Sequence, residues 1–242
     1  TVGVVQTAIP GLEDAYVAKY SSDGTQLLFA TFLGGTSLDI AFDVAVDATG
    51  SAYVTGVTSS MDFPVTAGAF EQALGTALNP VCQTLPDAFV AKLTADGTSI
   101  SYSTYLGGCL IDTAFAIHVD GAGVAHVAGT TGSPDLPVTA TAFDSALARE
   151  FDVFYAKVDA SGSSVVYATF LGAEGCDGTQ ALAVDGAGIA TLTVCTNSRN
   201  LPSSPGAFQP SHGSPPGVPT EDVFLARIDS NLASAAGLLF GS

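Results

Sequence analysis

One sentence of amino acids recurs four times in this chain, and that recurrence constrains the fold more than any other feature. Asp87–Gly107 reads DAFVAKLTADGTSISYSTYLG, Asp14–Gly34 reads DAYVAKYSSDGTQLLFATFLG, and Asp152–Gly172 reads DVFYAKVDASGSSVVYATFLG. A divergent copy, DVFLARIDSNLASAAGLLFG, occupies Asp222–Gly241. Starting points 73, 65 and 70 residues apart mark an array of one supersecondary unit rather than two unrelated domains. Such units bury their apolar faces by stacking on their neighbours.

Each unit carries four short strand-like runs between turn signals. In the second they are Ala114–Asp120, Val124–Thr131, Asp152–Val158 and Ser164–Leu171. The first two are joined by Asp120-Gly121-Ala122-Gly123, with Asp47–Gly50 and Asp185–Gly188 as counterparts. An Asp three residues before a Gly suits a type I turn closed by a left-handed residue, so a hairpin is predicted. Asp23-Gly24, Asp96-Gly97 and Ser161-Gly162 mark the second hairpin of each unit. Between the hairpins lies a proline-bearing connection: DFPVTAGAF at Asp62–Phe70, DLPVTATAF at Asp135–Phe143 and NLPSSPGAF at Asn200–Phe208. Proline lacks a donor, which keeps this text out of central strands, and its recurring Phe is expected to plug an apolar gap. Helical periodicity is absent apart from a turn or two expected at Phe143–Glu150.

The reading is therefore all-β: a propeller-type array of four-stranded antiparallel blades, preferred over a sandwich repeat because the units are small, Gly-rich and self-similar. The recurring halves, DAFVAKL…DGT…YSTYLGG and AFDVAVDATGSAYVTGVTSSMDFPVTAGAF, resemble the bacterial SBBP β-propeller repeat family over almost the whole chain. The run AVDATGSAYVTG also looks like the inner strand pair of NHL-type propeller repeats. That resemblance sets the phase: inner strands Ala41–Asp47 and Ala52–Thr58, outer strands Asp87–Leu93 and Ser99–Leu106. Three complete blades follow, Thr36–Gly107, Gly108–Gly172 and Ala173–Ser242. A partial blade, Thr1–Gly35, precedes them with at most three strands, Val2–Thr7, Asp14–Tyr20 and Leu27–Leu33. The resemblance implies an extracellular or cell-surface bacterial protein and no particular chemistry.

Charge narrows the partners. With 23 acidic residues against 6 basic ones, the net charge of −17 disfavours nucleic acid and anionic membrane surfaces. No apolar run is long enough to span a bilayer. The start at Thr1, without a Met or signal-like region, fits a processed end or an arbitrary cut, and is compatible with a secretory signal having been removed.

Four of the six basic residues, Lys19, Lys92, Lys157 and Arg227, share one repeat position. A structural ion-pair role is expected, because active sites do not usually repeat in every unit. Asp14 and Lys19 point to opposite faces of their strand, so the acids expected as partners are Asp39, Asp112 and Asp177, which recur before the inner strand. Oxygen-rich turns could hold Ca²⁺, yet no EF-hand or RTX spacing is present and the turns need their Asp residues anyway; no cofactor is assigned. His118 and His126 should face each other across one hairpin, without a third ligand to build a zinc site. No nucleophile elbow or phosphate loop stands out.

Among singular residues the cysteines say most. Cys82 and Cys109 lie about equally far from the Asp96-Gly97 turn, and Cys176 and Cys195 from the Asp185–Gly188 turn. Both spacings suit cross-strand disulfides, which predicts bonds Cys82–Cys109 and Cys176–Cys195, roughly 3 kcal/mol each in the chain-entropy model, and an oxidising compartment. An incomplete blade leaves an open edge, which has three solutions: a fragment of a longer propeller, closure as a small four-blade ring, or a strand from a neighbouring copy. In the third, the apolar run Val2–Pro10, with Val2, Val4, Val5 and Ile9, reads as the exchanged strand. The expected function is thus a non-catalytic extracellular structural or adhesive module, pairing strands with copies of itself into a filament. The rivals are a glycan- or protein-binding propeller domain using Tyr53 or Phe70, and a hydrolase or lyase using convergent carboxylates.

Overall fold

The structure, a computed structural model, describes residues 3–75, 85–213 and 220–241. It is all-β. Fourteen strands are described: β1 (Ala15–Tyr20), β2 (Leu27–Leu33), β3 (Asp39–Val46), β4 (Ala52–Thr58), β5 (Asp87–Leu93), β6 (Ile100–Leu106), β7 (Asp112–Val119), β8 (Ala125–Thr131), β9 (Asp152–Val158), β10 (Val165–Leu171), β11 (Asp177–Val184), β12 (Ala190–Thr196), β13 (Asp222–Ile228) and β14 (Leu238–Gly241). They form three four-stranded antiparallel meanders, β3–β6, β7–β10 and β11–β14, and one two-stranded sheet, β1–β2. The first strands of successive sheets pack on one another, β3 on β7 and β7 on β11, as blades of a propeller-like array do.

Turn chemistry makes the hairpins. Asp47 Oδ1 accepts from the Thr49 and Ser51 amides while Gly50, at φ +84°, donates to the Asp47 carbonyl. The same pattern recurs at Asp120 and Asp185. A left-handed backbone favours glycine. In the second hairpin, Gly97 (φ +69°) lies against the Phe29 ring, and Gly162 (φ +72°) against the Tyr102 ring, where a Cβ would stand within 3 Å of ring carbons. In these two blades the outer turn thus presses its bare glycine onto an aromatic of the blade before.

Strand faces alternate between neighbours. In β5, Ala88 and Val90 join Phe154, Ala156 and Val158 of the next blade, while Phe89, Ala91 and Leu93 join Ala15, Val17 and Phe29 of the one before. Phe224, Ala226 and Ile228 of β13 likewise pack back onto Val153 and Tyr155. The core is therefore a series of apolar layers between sheets. Each layer is built from two neighbours, so no blade seals itself.

Several sequence expectations change. Residues 3–7 form no strand; instead the Val5 amide donates to the Gly97 carbonyl and the Phe32 amide to the Gln6 carbonyl. The same bonds run from Phe70 to Gly162 and from Tyr105 to Glu71. Gly3 (φ +80°) matches Gly68 (φ +83°). The opening run is thus a copy of the TAGAFE connection, which replaces its reading as an exchangeable strand; Val2 lies outside the described residues. Phe143–Glu150 is not helical, and the one helical turn among the described residues is Ser234–Gly237.

Candidate interaction surface

The repeated acids are structural fasteners. Asp39 is fully buried and accepts from the Gly35 amide (2.7 Å), the Thr58 hydroxyl and the Ser60 hydroxyl (2.7 Å). Asp112 accepts from the Gly108 amide and the Ser133 hydroxyl, and Asp177 from Ala173, Thr196 and Ser198. The TSS, TGS and TNS triplets after each second strand thus supply the hydroxyls that close the blade's inner end.

A second acid caps each connection. Asp14, Asp87, Asp152 and Asp222 accept the amides of Gly11, Gly75, Ala148 and Gly213 respectively. Asp87 and Asp112 crowd Gly107 so closely that a Cβ there would stand within 3 Å of both carboxylates. This explains the leading glycine of the LGG text. Burial, then the negative charges nearby, raise Asp87 to about 8 and Glu71 to about 7. Burial also raises Asp112 and Asp152 to about 6, against the hydrogen bonds that lower them. A buried carboxyl with few donors prefers its neutral form. Asp14, Asp87 and Asp152 each keep one carboxyl oxygen, Oδ1, buried without a hydrogen-bond partner.

The basic residues bind other partners than Asp39, Asp112 and Asp177. Both oxygens of Asp39 and of Asp177 are committed to hydroxyls and amides, and in Asp112 Oδ2 is, while its Oδ1 is buried without a hydrogen-bond partner. Lys92 Nζ lies 3.3 Å from Asp47 Oδ2 and 4.7 Å from the centre of the Tyr53 ring. Against burial, hydrogen bonds from Thr49, Ser51 and Lys92 hold Asp47 down at about 2. Arg227 reaches Asp185 at 2.6 Å. Lys19 spans to the next blade, donating to the Gly50 and Ala95 carbonyls, and Lys157 does so to the Ser230 hydroxyl. The cation of the repeat therefore ties hairpin turns to its own blade or to the next one, repeat after repeat.

His118 and His126 do pair across their hairpin. His126 is fully buried, its Nδ1 2.7 Å from the Tyr155 hydroxyl, and burial, followed by the Lys157 charge, lowers its pKa. Among the described residues no group of three or more His, Cys, Asp or Glu side chains is arranged to hold a metal. Nor is any helix there long and apolar enough to cross a membrane.

Cys176 and Cys195 are both free, correcting the predicted bond. The register places Cys195 opposite Gly178, two residues beyond Cys176, and Cys195 Sγ donates to Glu221 Oε2 at 3.0 Å. The Cys82–Cys109 pairing lies outside the described residues, because Cys82 does.

The surface most unlike the rest lies at the two ends of the array. Tyr16 is 55% exposed, although its counterparts Phe89 and Phe154 are fully buried. Tyr20 and Leu28 are exposed beside it, and in β3 so are Phe42, Val44 and Val46. At the opposite end Val223, Leu225 and Leu239 are exposed, and Phe208, the counterpart of Phe70, is 97% exposed. These are core-type side chains on which no further sheet packs among the described residues. Sequence periodicity alone did not reveal this, because exposed and buried copies carry the same residue types. No protein-family model matches the chain, and no curated protein matches it.

Proposed function

We propose that this chain is a structural or adhesive β-propeller module of the SBBP-repeat kind, extracellular and without catalytic chemistry, that assembles with copies of itself. One observation carries the reading: the apolar layers between blades are sealed inside the chain, while faces of the same composition stand open at both ends. Contiguous exposed apolar surface of this kind marks an interaction site. Two different ends make a heterologous contact, which yields rings when it closes and filaments when it does not. Packing of end faces supports assembly better than exchange of residues 1–10, since Val5 and Gln6 are bonded within their own chain.

The rival roles lack comparable support. Tyr53 is fully buried against Tyr102 and cannot line a glycan groove. Asp87 and Asp112 have raised pKa values but no exposed surface, and their setting recurs at other blade junctions. Light scattering and negative-stain microscopy over a concentration series test the proposal. Growth with concentration is expected, and its suppression by Tyr16→Lys or Leu225→Lys; a monomer at every concentration overturns it.

A further inference from the structure

The first sheet has two strands where the other three have four. In each complete blade the third strand is covered along its inner edge by the second, in one fixed register: Thr58 opposite Asp87, Thr131 opposite Asp152, Thr196 opposite Asp222. β1 matches those third strands residue for residue from Asp14 to Tyr20, yet its inner edge pairs with no described strand. An open edge of backbone amides and carbonyls is a template for a further strand.

The neighbouring blade carries the imprint of the same vacancy. Val44 of β3 is 54% exposed, while its counterpart Ile117 in β7 is 6% exposed, packed against the previous blade with Ala45 and Tyr53 nearby. Val46 is exposed, whereas its counterparts Val119 and Val184 pack against the cores beside them. Phe42 stacks on Phe115 of the following blade at 5.0 Å and is still 46% exposed. Between the β1 edge and this face of β3 runs a groove of about 370 Å³, with Tyr16, Lys19, Phe42, Val44 and Val46 among its lining residues.

We propose that this groove is a docking site for a β-hairpin carrying the inner-strand pattern of this repeat, bound by strand addition to β1. The occupant follows from the molecule's own solution to the same geometry: hairpins β3–β4, β7–β8 and β11–β12 fill this position in the other three sheets. Main-chain hydrogen bonds to β1 supply the affinity, and apolar side chains on Val44 and Val46 the selectivity. The register places a threonine of the incoming hairpin opposite Asp14, as Thr58, Thr131 and Thr196 stand opposite their aspartates. Tyr16 and the β3 side chains also belong to the open end used in the self-assembly reading, so the hairpin and a second copy are alternative occupants of this edge, which the concentration arm of the test tells apart.

The test uses a fluorescently labelled synthetic peptide of residues 110–133, the β7–β8 hairpin, titrated into the full chain with hydrogen exchange followed in parallel. Saturable one-to-one binding is expected, with amide exchange of residues 15–20 slowed at least tenfold. Val44→Asp, on an exposed side chain, should weaken binding at least tenfold while leaving the melting temperature unchanged, and a peptide of scrambled sequence should not bind. Absence of binding overturns the inference, as does binding that leaves residues 15–20 unprotected or is indifferent to Val44→Asp. Protection of residues 15–20 by concentration alone, without peptide, overturns it in favour of a second copy.

Discussion

Replacing Asp39 with alanine removes the acceptor on which three buried donors converge. The Gly35 amide and the Ser60 hydroxyl each lie 2.7 Å from Asp39 Oδ2, the Thr58 hydroxyl bonds Oδ1, and all four residues are buried. A donor left buried and unsatisfied costs about 1–3 kcal/mol. Thr58 and Ser60 can recover part of this, since the Ser60 amide already donates to the Thr58 hydroxyl and both hydroxyls rotate; the Gly35 amide cannot turn. The expected loss is therefore about 3–6 kcal/mol, equivalent to roughly 10–20 °C in melting temperature for a chain of this size. Asp39→Asn keeps one oxygen but sets an amide group against donors, and should fall between parent and alanine variant. Thermal and urea unfolding followed by circular dichroism measure both. If Asp39→Ala unfolds within about 0.5 kcal/mol of the parent, the fastener role assigned to the repeated aspartates is wrong.

Other consequences are equally open to measurement. Glu71 at about 7, Asp87 at about 8, and Asp112 and Asp152 at about 6 bind protons more tightly folded than unfolded. Their protonation therefore favours the fold at low pH and is lost as pH rises through those values, each at up to about 1.4 kcal/mol per pH unit. Asp23, Asp47 and Asp96, held at about 2, act the other way below pH 4; the melting temperature should peak near pH 4–5, and a rise between pH 5 and 8 would contradict this. Gly107→Ala should destabilise by a few kcal/mol through its clash with Asp87 and Asp112, whereas Gly186→Ala, with no atom near its would-be Cβ, should be within about 0.5 kcal/mol of neutral in the same melts. Without reductant, Cys176 should alkylate faster than Cys195, whose hydrogen bond to Glu221, with burial, raises its pKa. A Cys176–Cys195 linked peptide on non-reducing mass spectrometry would contradict the free thiols.

What the sequence by itself determined is local. Aspartate and glycine at fixed offsets impose hairpin turns whatever surrounds them, and alternation over seven residues makes strands, so β4, β5 and β9 fall on their predicted residues. The four-stranded antiparallel sheets follow from repetition of those signals. Tertiary structure decided everything that joins residues from different units. Lys92 selects Asp47 instead of Asp39 because the strand register brings the hairpin turn to its ammonium, while hydroxyls from the TSS triplet have already filled the other acid. Cys176 and Cys195, nearly symmetric about their turn in sequence, miss each other because the hairpin register, set by Val184 opposite Ala190, brings Gly178 and not Cys176 opposite Cys195. The one-residue bulge between Thr179 and Ala181 is too small to close that offset. The opening valines looked like a strand, yet they repeat the TAGAFE connection, an identity visible only when Val5 and Phe70 meet matching turns of the following blades. Above all, Tyr16 and Phe89 are nearly the same residue in the same text, and one is exposed while the other is buried. That difference lies in the neighbouring blade and not in the strand, because a residue's burial depends on what stands opposite it.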